Sequence, residues 1–275
     1  MGPENLKISD REYLLTEQYR DASNLNARIQ IHRRFSTNKY GWPRWVFDQV
    51  YLPPESHILE LGCGLGNLWL ENIQRVPGGW KITLSDLSLG MVRKAHQNLG
   101  HSWHPFRFAA VDAQSISFGD ESFDAVIANH MLYHVPDRTE AFEEIRRVLR
   151  PGGRFYASTV GRDHLKELNE LVRRFDSSAD PWGGTPAEPF LLENGLAQIS
   201  KWFSKVSLRR YEDALVVTEA EPLVAYVLST AAGSTLAGAR LMEFIYFVEQ
   251  ELAVCGAIHV TKDSGIFEAW RVDEP

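Results

Sequence analysis

The chain has 275 residues, enough for one domain with additions or for two small ones. Its 29 basic and 36 acidic residues give a formal charge of −7, so composition supplies no electrostatic footprint for nucleic acid or an anionic membrane. Hydrophobic usage of 44% is that of a soluble globular protein, no apolar run approaches the roughly 20 residues that span a bilayer, and two cysteines make no disulfide framework.

Met1 to Arg20 is polar and charged, without the apolar core of a secretory signal, and a cytoplasmic protein is expected. Residues 1–52 are read as an N-terminal helical lid. Asp10 can cap a first helix through Glu17 and Tyr19, and a second helix covers about Leu25 to Phe35. Pro43 then opens a short helix carrying Trp45, Val46 and Phe47. This prefix is rich in aromatics and cations, including Tyr19, Arg28, Arg33, Trp42 and Trp45.

Residues 53–160 read as an α/β core. The stretch His57 to Leu61 is a buried strand that runs into Gly62-Cys63-Gly64-Leu65-Gly66. Glycines at alternate positions mark a turn where the backbone must approach a ligand closely, and the helix expected from Asn67 to about Val76 aims its first amides at the same crevice. A second strand, Lys81 to Ser85, ends at Asp86, 20 residues after Gly66, the spacing at which nucleotide-type folds place a carboxylate on a ribose diol. Ser88 caps the following helix, with Met91 in its first turn. His101 and His104 bracket Trp103 in what reads as a surface loop. The third strand, Phe106 to Val111, ends in Asp112-Ala113, and the fourth, Phe123 to Ala128, delivers Asn129 and His130 to the carboxyl edge of the sheet. A helix from Pro136-Asp137 to about Leu149 leads through Pro151-Gly152-Gly153 into a fifth strand, Arg154 to Thr159.

Residues 161–275 read as helical cap elements and two final strands completing the same sheet. Helices are predicted over His164 to Phe175, Leu191 to Phe203, Glu219 to Ser229 and Leu236 to Val254, with strands over Val206 to Val217 and Ile258 to Trp270. The predicted fold class is therefore α/β: a doubly wound, mostly parallel seven-stranded sheet, last strand antiparallel, with an N-terminal helical lid and C-terminal helical additions.

The order acid-x-Gly-x-Gly-x-Gly, then Ser85-Asp86-Leu87-Ser88, then Asp112-Ala113, then Phe123 to Asn129 followed by Leu149 to Gly153 resembles the class I, Rossmann-like S-adenosylmethionine-dependent methyltransferases. The likeness is to the small-molecule type that includes the ubiquinone and menaquinone biosynthesis enzymes, and it is strong over about residues 55–160. It implies S-adenosylmethionine as cofactor and S-adenosylhomocysteine as product. Glu60, Gly62, Cys63, Gly64 and Gly66 would then hold the methionine end, Asp86 with Leu87 and Met91 the ribose and adenine side, and Asp112 with Ala113 the adenine. Asn129 would lie at the strand end nearest the methyl group.

Methyl transfer from a sulfonium needs alignment and exclusion of water more than a catalytic side chain. If a base is required, His134 and His130 follow the fourth strand directly, and Tyr19 could close over the site from the prefix. His130 and His134 are four apart, yet no third ligand is evident, so no metal is assigned. A small-molecule acceptor is expected, with no nucleic-acid or membrane partner; the oligomeric state does not follow. Two other readings stay open: a non-catalytic or repurposed cofactor-binding protein or partner subunit, and an NAD-dependent oxidoreductase, against which the absence of Gly-x-Gly-x-x-Gly speaks.

Overall fold

The computed structural model describes residues 23–179 and 189–272, together with Asp10, Glu12, Leu14 and Thr16. Tyr19, the expected candidate from the prefix, lies outside the described residues. Two compact units divide the chain. One comprises Met1–Gly41, Asp163–Pro189 and Glu212–Asp263, the other Trp42–Arg162, Phe190–Tyr211 and Ser264–Pro275.

The second unit contains the alternating core. In chain order its elements are α2 (Trp42–Gln49), β1 (His57–Leu61), α3 (Asn67–Leu70), β2 (Lys81–Asp86), α4 (Leu89–Leu99), β3 (Arg107–Ala110), β4 (Phe123–Asn129), α5 (Arg138–Val148), β5 (Leu149–Val160) and α7 (Gly195–Ile199). The strands β6 (Ser204–Val217) and β7 (Ile258–Trp270) each contribute residues to both units. The seven-stranded order is β3-β2-β1-β4-β5-β7-β6. Strands β3, β2, β1, β4 and β5 pair in parallel, and β7 runs antiparallel to β5 from Arg154↔Trp270 to Val160↔Ser264.

Strand periodicity sorts the core onto two faces. Leu59, Leu61, Val126, Ala128, Phe155 and Ala157 pack with Phe142 and Ile145 of α5. Their neighbours Ile58, Ile82, Leu84, Ala125, Ile127 and Tyr156 pack with Trp69 and with Val46 and Phe47 of α2 on the other face. Helix α2, expected with the prefix, thus belongs to the sheet unit. Strands buried on both sides explain the near-continuous apolar runs of β1 and β4.

Two predicted helices come out at half their expected length or less. Helix α3 ends at Leu70, and Ile73–Arg75 is a separate 3₁₀ turn. Between them the Asn72 amide donates to the carbonyls of Leu68 and Pro43, drawing the chain off the helical path. Of the helix predicted over 191–203 only Gly195–Ile199 forms. Phe190, Leu192, Ile199 and Phe203 are nonetheless all buried in one cluster, so the apolar period reflected a folded turn packing into the core. His104 is a further correction: it is 1% exposed, packed against Phe106, and not on a surface loop.

The first unit holds α1 (Ser23–Phe35), α6 (Lys166–Phe175), α8 (Ala220–Leu228) and α9 (Ala239–Cys255). Ile31, Phe35, Leu168, Val172, Leu223, Val227 and Phe244 form its core. Asp213 closes the end of α1 by accepting from Ser36, Thr37 and the Asn38 amide while ion-paired to buried Lys262. No helix among the described residues is long and apolar enough to cross a membrane.

Candidate active site

The glycine loop is held in shape by the protein itself. Gly62, Gly64 and Gly66 have φ of +67°, +54° and +76°, a region costly for side-chain-bearing residues. A Cβ on Gly62 would stand 2.7 Å from Cβ of Met131, so the residue after β4 fills the space that a side chain would need. A Cβ on Gly66 would meet Leu99 of α4 at 2.6 Å. The amide of Cys63 donates to the Ser85 carbonyl at 2.8 Å, tying the loop to β2, and Asn98 donates to the Leu65 carbonyl at 3.0 Å from α4.

Two acids converge on this loop. Glu60 is 2% exposed and accepts from the indole of Trp69 at 2.6 Å. Its pKa is pushed up to about 8, by burial first and then by the charge of Asp86, against the indole bond. Asp86 accepts from the amides of Gly64 at 3.0 Å and Ser88 at 2.8 Å. Burial pushes its pKa up as well, and those two bonds offset part of the effect. Neither carboxyl has an ion-pair partner among the described residues. A pair of inward acids lacking a cation suits a ligand that brings one. Cys63 is buried beside them, and burial followed by the nearby acids drives its thiol pKa up.

The other expected residues fall on the same carboxyl edge. Ser88 caps α4, accepting from the amide of Met91, which is 1% exposed. Leu87 precedes that cap and is half-buried. Asp112 accepts from the Gln114 amide at 3.0 Å, and Ala113 beside it is 5% exposed. Asn129 ends β4 with its carboxamide oxygen receiving two bonds, from Ser158 Oγ at 2.6 Å and from the Trp42 indole at 3.2 Å. An indole N–H only donates, which fixes the amide's orientation.

His130 follows with φ of +54° in the left-handed region. Its amide donates to Ser158 Oγ at 2.9 Å, and its ring lies 4.8 Å from that of Trp42. His134 ends the 3₁₀ turn Leu132–His134 with its ring 4.5 Å from that of Tyr133. The 3₁₀ geometry removes the face-sharing of a four-residue helical spacing. Asp137, the nearby acid, is committed to capping α5 through the amides of Thr139 and Glu140. No group of three or more metal-ligating side chains occurs among the described residues.

Sequence reading passed over Trp42, Trp69, Asn98, Met131 and Ser158 as site residues. Only the tryptophans left a signal, as large aromatics flanking the loop; the others act through contacts distant in sequence.

The strand order, the glycine turn after β1 and the acid ending β2 are similar to those of the class I, Rossmann-like S-adenosylmethionine-dependent methyltransferases. Residues 59–157 match the family described as Methyltransferase domain. Among curated proteins, a ubiquinone/menaquinone biosynthesis C-methyltransferase from Geotalea daltonii is 32% identical over 116 residues, covering 42% of this chain and 49% of that protein. A malonyl-[acyl-carrier protein] O-methyltransferase from Geobacter sulfurreducens is 35% identical over 118 residues, 43% of each chain. The chain therefore spans about half the length of the curated relatives it matches. Among solved structures, phosphoethanolamine N-methyltransferase 2 of Haemonchus contortus, in complex with S-adenosyl-L-methionine, aligns with a TM-score of 0.58 at 18% identity. It covers 96% of this chain and 60% of that one, a likeness of fold.

Proposed function

We propose that the protein transfers the methyl group of S-adenosylmethionine to a small organic acceptor with apolar surface. The observation that carries this reading is the acid pair Glu60 and Asp86, without a cation partner among the described residues, set around the glycine loop of a methyltransferase domain. When bound, the cofactor supplies an electrophilic methyl group and a positively charged methionine end.

Glu60 and the side-chain-free backbone of the Gly62–Gly66 turn hold the methionine end. The Asp86 carboxylate, still with free lone pairs after accepting from Gly64 and Ser88, takes the ribose diol. Leu87 and Met91 line the adenine side, and Asp112 with Ala113 accepts from the adenine. Asn129, locked by Trp42 and Ser158, fixes the floor at the end of β4. The chain's contribution to rate is then alignment and exclusion of water.

Where the acceptor must lose a proton, His134 is the base, with His130 held by its Trp42 contact as part of the wall. His134→Ala then lowers turnover by about 10²-fold or more with S-adenosylhomocysteine affinity unchanged. Unchanged turnover would remove it from the mechanism. The named relatives are a ubiquinone/menaquinone biosynthesis C-methyltransferase and a malonyl-[acyl-carrier protein] O-methyltransferase, which supports a carbon or oxygen acceptor. A cytoplasmic location and the lack of a nucleic-acid partner are part of the same proposal.

The test is a calorimetric titration of the full chain with S-adenosylmethionine, S-adenosylhomocysteine and NAD(H). Saturable binding of both sulfur ligands and none of the dinucleotide is the expected result, followed by a methyl-transfer screen of small acceptors. Binding of NAD(H) alone would overturn the reading.

A further inference from the structure

The amino edge of the sheet, opposite the glycine loop, carries a pocket of about 590 Å³, a size that accommodates a nucleotide-sized molecule. Register and periodicity explain its lining. His57 pairs with Lys81, Thr83 pairs with Arg107, and Lys81/Thr83 and Arg107/Ala109 are each two residues apart. All five therefore project from one face of the sheet. Phe118 and Phe123, whose rings are 5.2 Å apart, form an aromatic wall beside them, and Arg150 closes the far side.

The pocket exists because one crossover carries no helix. The connections from β1 to β2, β2 to β3 and β4 to β5 contain α3, α4 and α5, whereas residues 111–122 between β3 and β4 are turns and bridges. This leaves the amino ends of β2 and β3 bare on that face.

The charges around it are uneven. Arg150 is paired with Asp124, whose same oxygen accepts from the His57 amide, and Glu121 is paired with Arg271. Lys81 and Arg107 remain, both exposed and with no ion-pair partner among the described residues. His57 responds to the excess: burial, then Lys81 and Arg150, lowers its pKa.

We infer that this pocket binds a planar aromatic anion, its ring against Phe118 and Phe123 and its phosphate or carboxylate on Lys81 and Arg107. The inference is independent of the methyl-transfer reading, because it uses the opposite ends of the strands. Nucleotides and aryl carboxylates share the required chemistry, and the experiment separates them.

The full chain is titrated calorimetrically with uridine 5′-monophosphate, with 2-naphthoate and with inorganic phosphate. One or both aromatic anions bind with one-to-one stoichiometry, about tenfold or more tighter than phosphate. The double variant Lys81→Ala/Arg107→Ala loses that binding by about tenfold or more while its thermal unfolding is unchanged. Binding by uridine monophosphate alone assigns the nucleotide class, and binding by naphthoate alone the carboxylate class. Absence of binding by both probes, binding by phosphate as tight as by the aromatics, or binding that survives the double substitution overturns the inference.

Discussion

Strands β1 and β2 carry acidic side chains at one end and basic side chains at the other. Their carboxyl ends deliver Glu60 and Asp86, and their amino ends deliver His57 and Lys81. The acids are enclosed: Glu60 is met by the Trp69 indole, Asp86 by two amides, and the loop between them by Met131 and Leu99. The amino-end groups owe their arrangement to strand register and sit in an open pocket. The carboxyl edge is therefore shaped by the protein's own contacts, and substitutions there cost stability as well as binding. At the amino edge, binding should change alone.

The largest effect is expected at Gly62. Gly62→Ala places a Cβ within 2.7 Å of Met131 on a residue with φ of +67°. The backbone strain and overpacking together cost about 3 kcal/mol of folding stability, measured by urea unfolding. Met131→Gly relieves the clash and leaves the strain, so the double variant is less destabilised than the two single variants summed. Strict additivity would mean that Met131 does not set the glycine requirement. The corresponding amino-edge pair, Lys81→Ala/Arg107→Ala, serves as the contrast, with unfolding unchanged.

That contrast also explains what could be read in advance. The glycine loop, Asp86 and Asp112 stand at chain positions where strand ends and turn chemistry leave local marks, and β1 and β7 were predicted with their observed bounds. Ser88 and Asp137 declared their helix starts as caps. The contacts that shape the site join positions far apart in sequence: Trp42 with Asn129, Asn98 with the Leu65 carbonyl, Met131 over Gly62. No period or local motif encodes them. The amino-edge pocket was invisible for a related reason, because it arises from the lack of a helix between β3 and β4. Helix α7 was overread because burial of Phe190, Leu192, Ile199 and Phe203 imitates a helical stripe.

A smaller effect falls on Asp86. Asp86→Ala weakens S-adenosylhomocysteine binding by about 1–3 kcal/mol through lost charge-assisted bonds, and it also releases the amides of Gly64 and Ser88. Asp86→Asn keeps a carbonyl for one of those amides. If calorimetry finds the asparagine variant as weak as the alanine variant, the loss lies in charge and diol bonding; if asparagine restores affinity, Asp86 serves mainly to shape the loop. Wild-type affinity in both variants would remove the ribose assignment.

The two ends of the strands should finally differ in the sign of their pH response. With its pKa near 8, Glu60 is mostly protonated in the empty site at neutral pH. The ammonium group of the ligand's amino-acid end favours the carboxylate, so binding expels a proton, and affinity rises with pH by up to about tenfold per unit until pH reaches the Glu60 value. At higher pH the ligand's own α-amino group loses its charge and affinity falls. The S-adenosylhomocysteine profile is thus a bell whose acid limb belongs to Glu60, and Glu60→Gln flattens that limb. A wild-type profile flat between pH 6 and 8 would withdraw Glu60 from the methionine end (the window follows from the raised value). At the amino edge the linkage reverses. His57 has a lowered pKa among cations, an arriving anion raises it, and binding takes up a proton, so the aromatic anion binds more tightly as pH falls. Opposite slopes for two ligands on one protein would assign the acids and the cations to separate sites, whereas parallel slopes would mean that both ligands enter the same crevice.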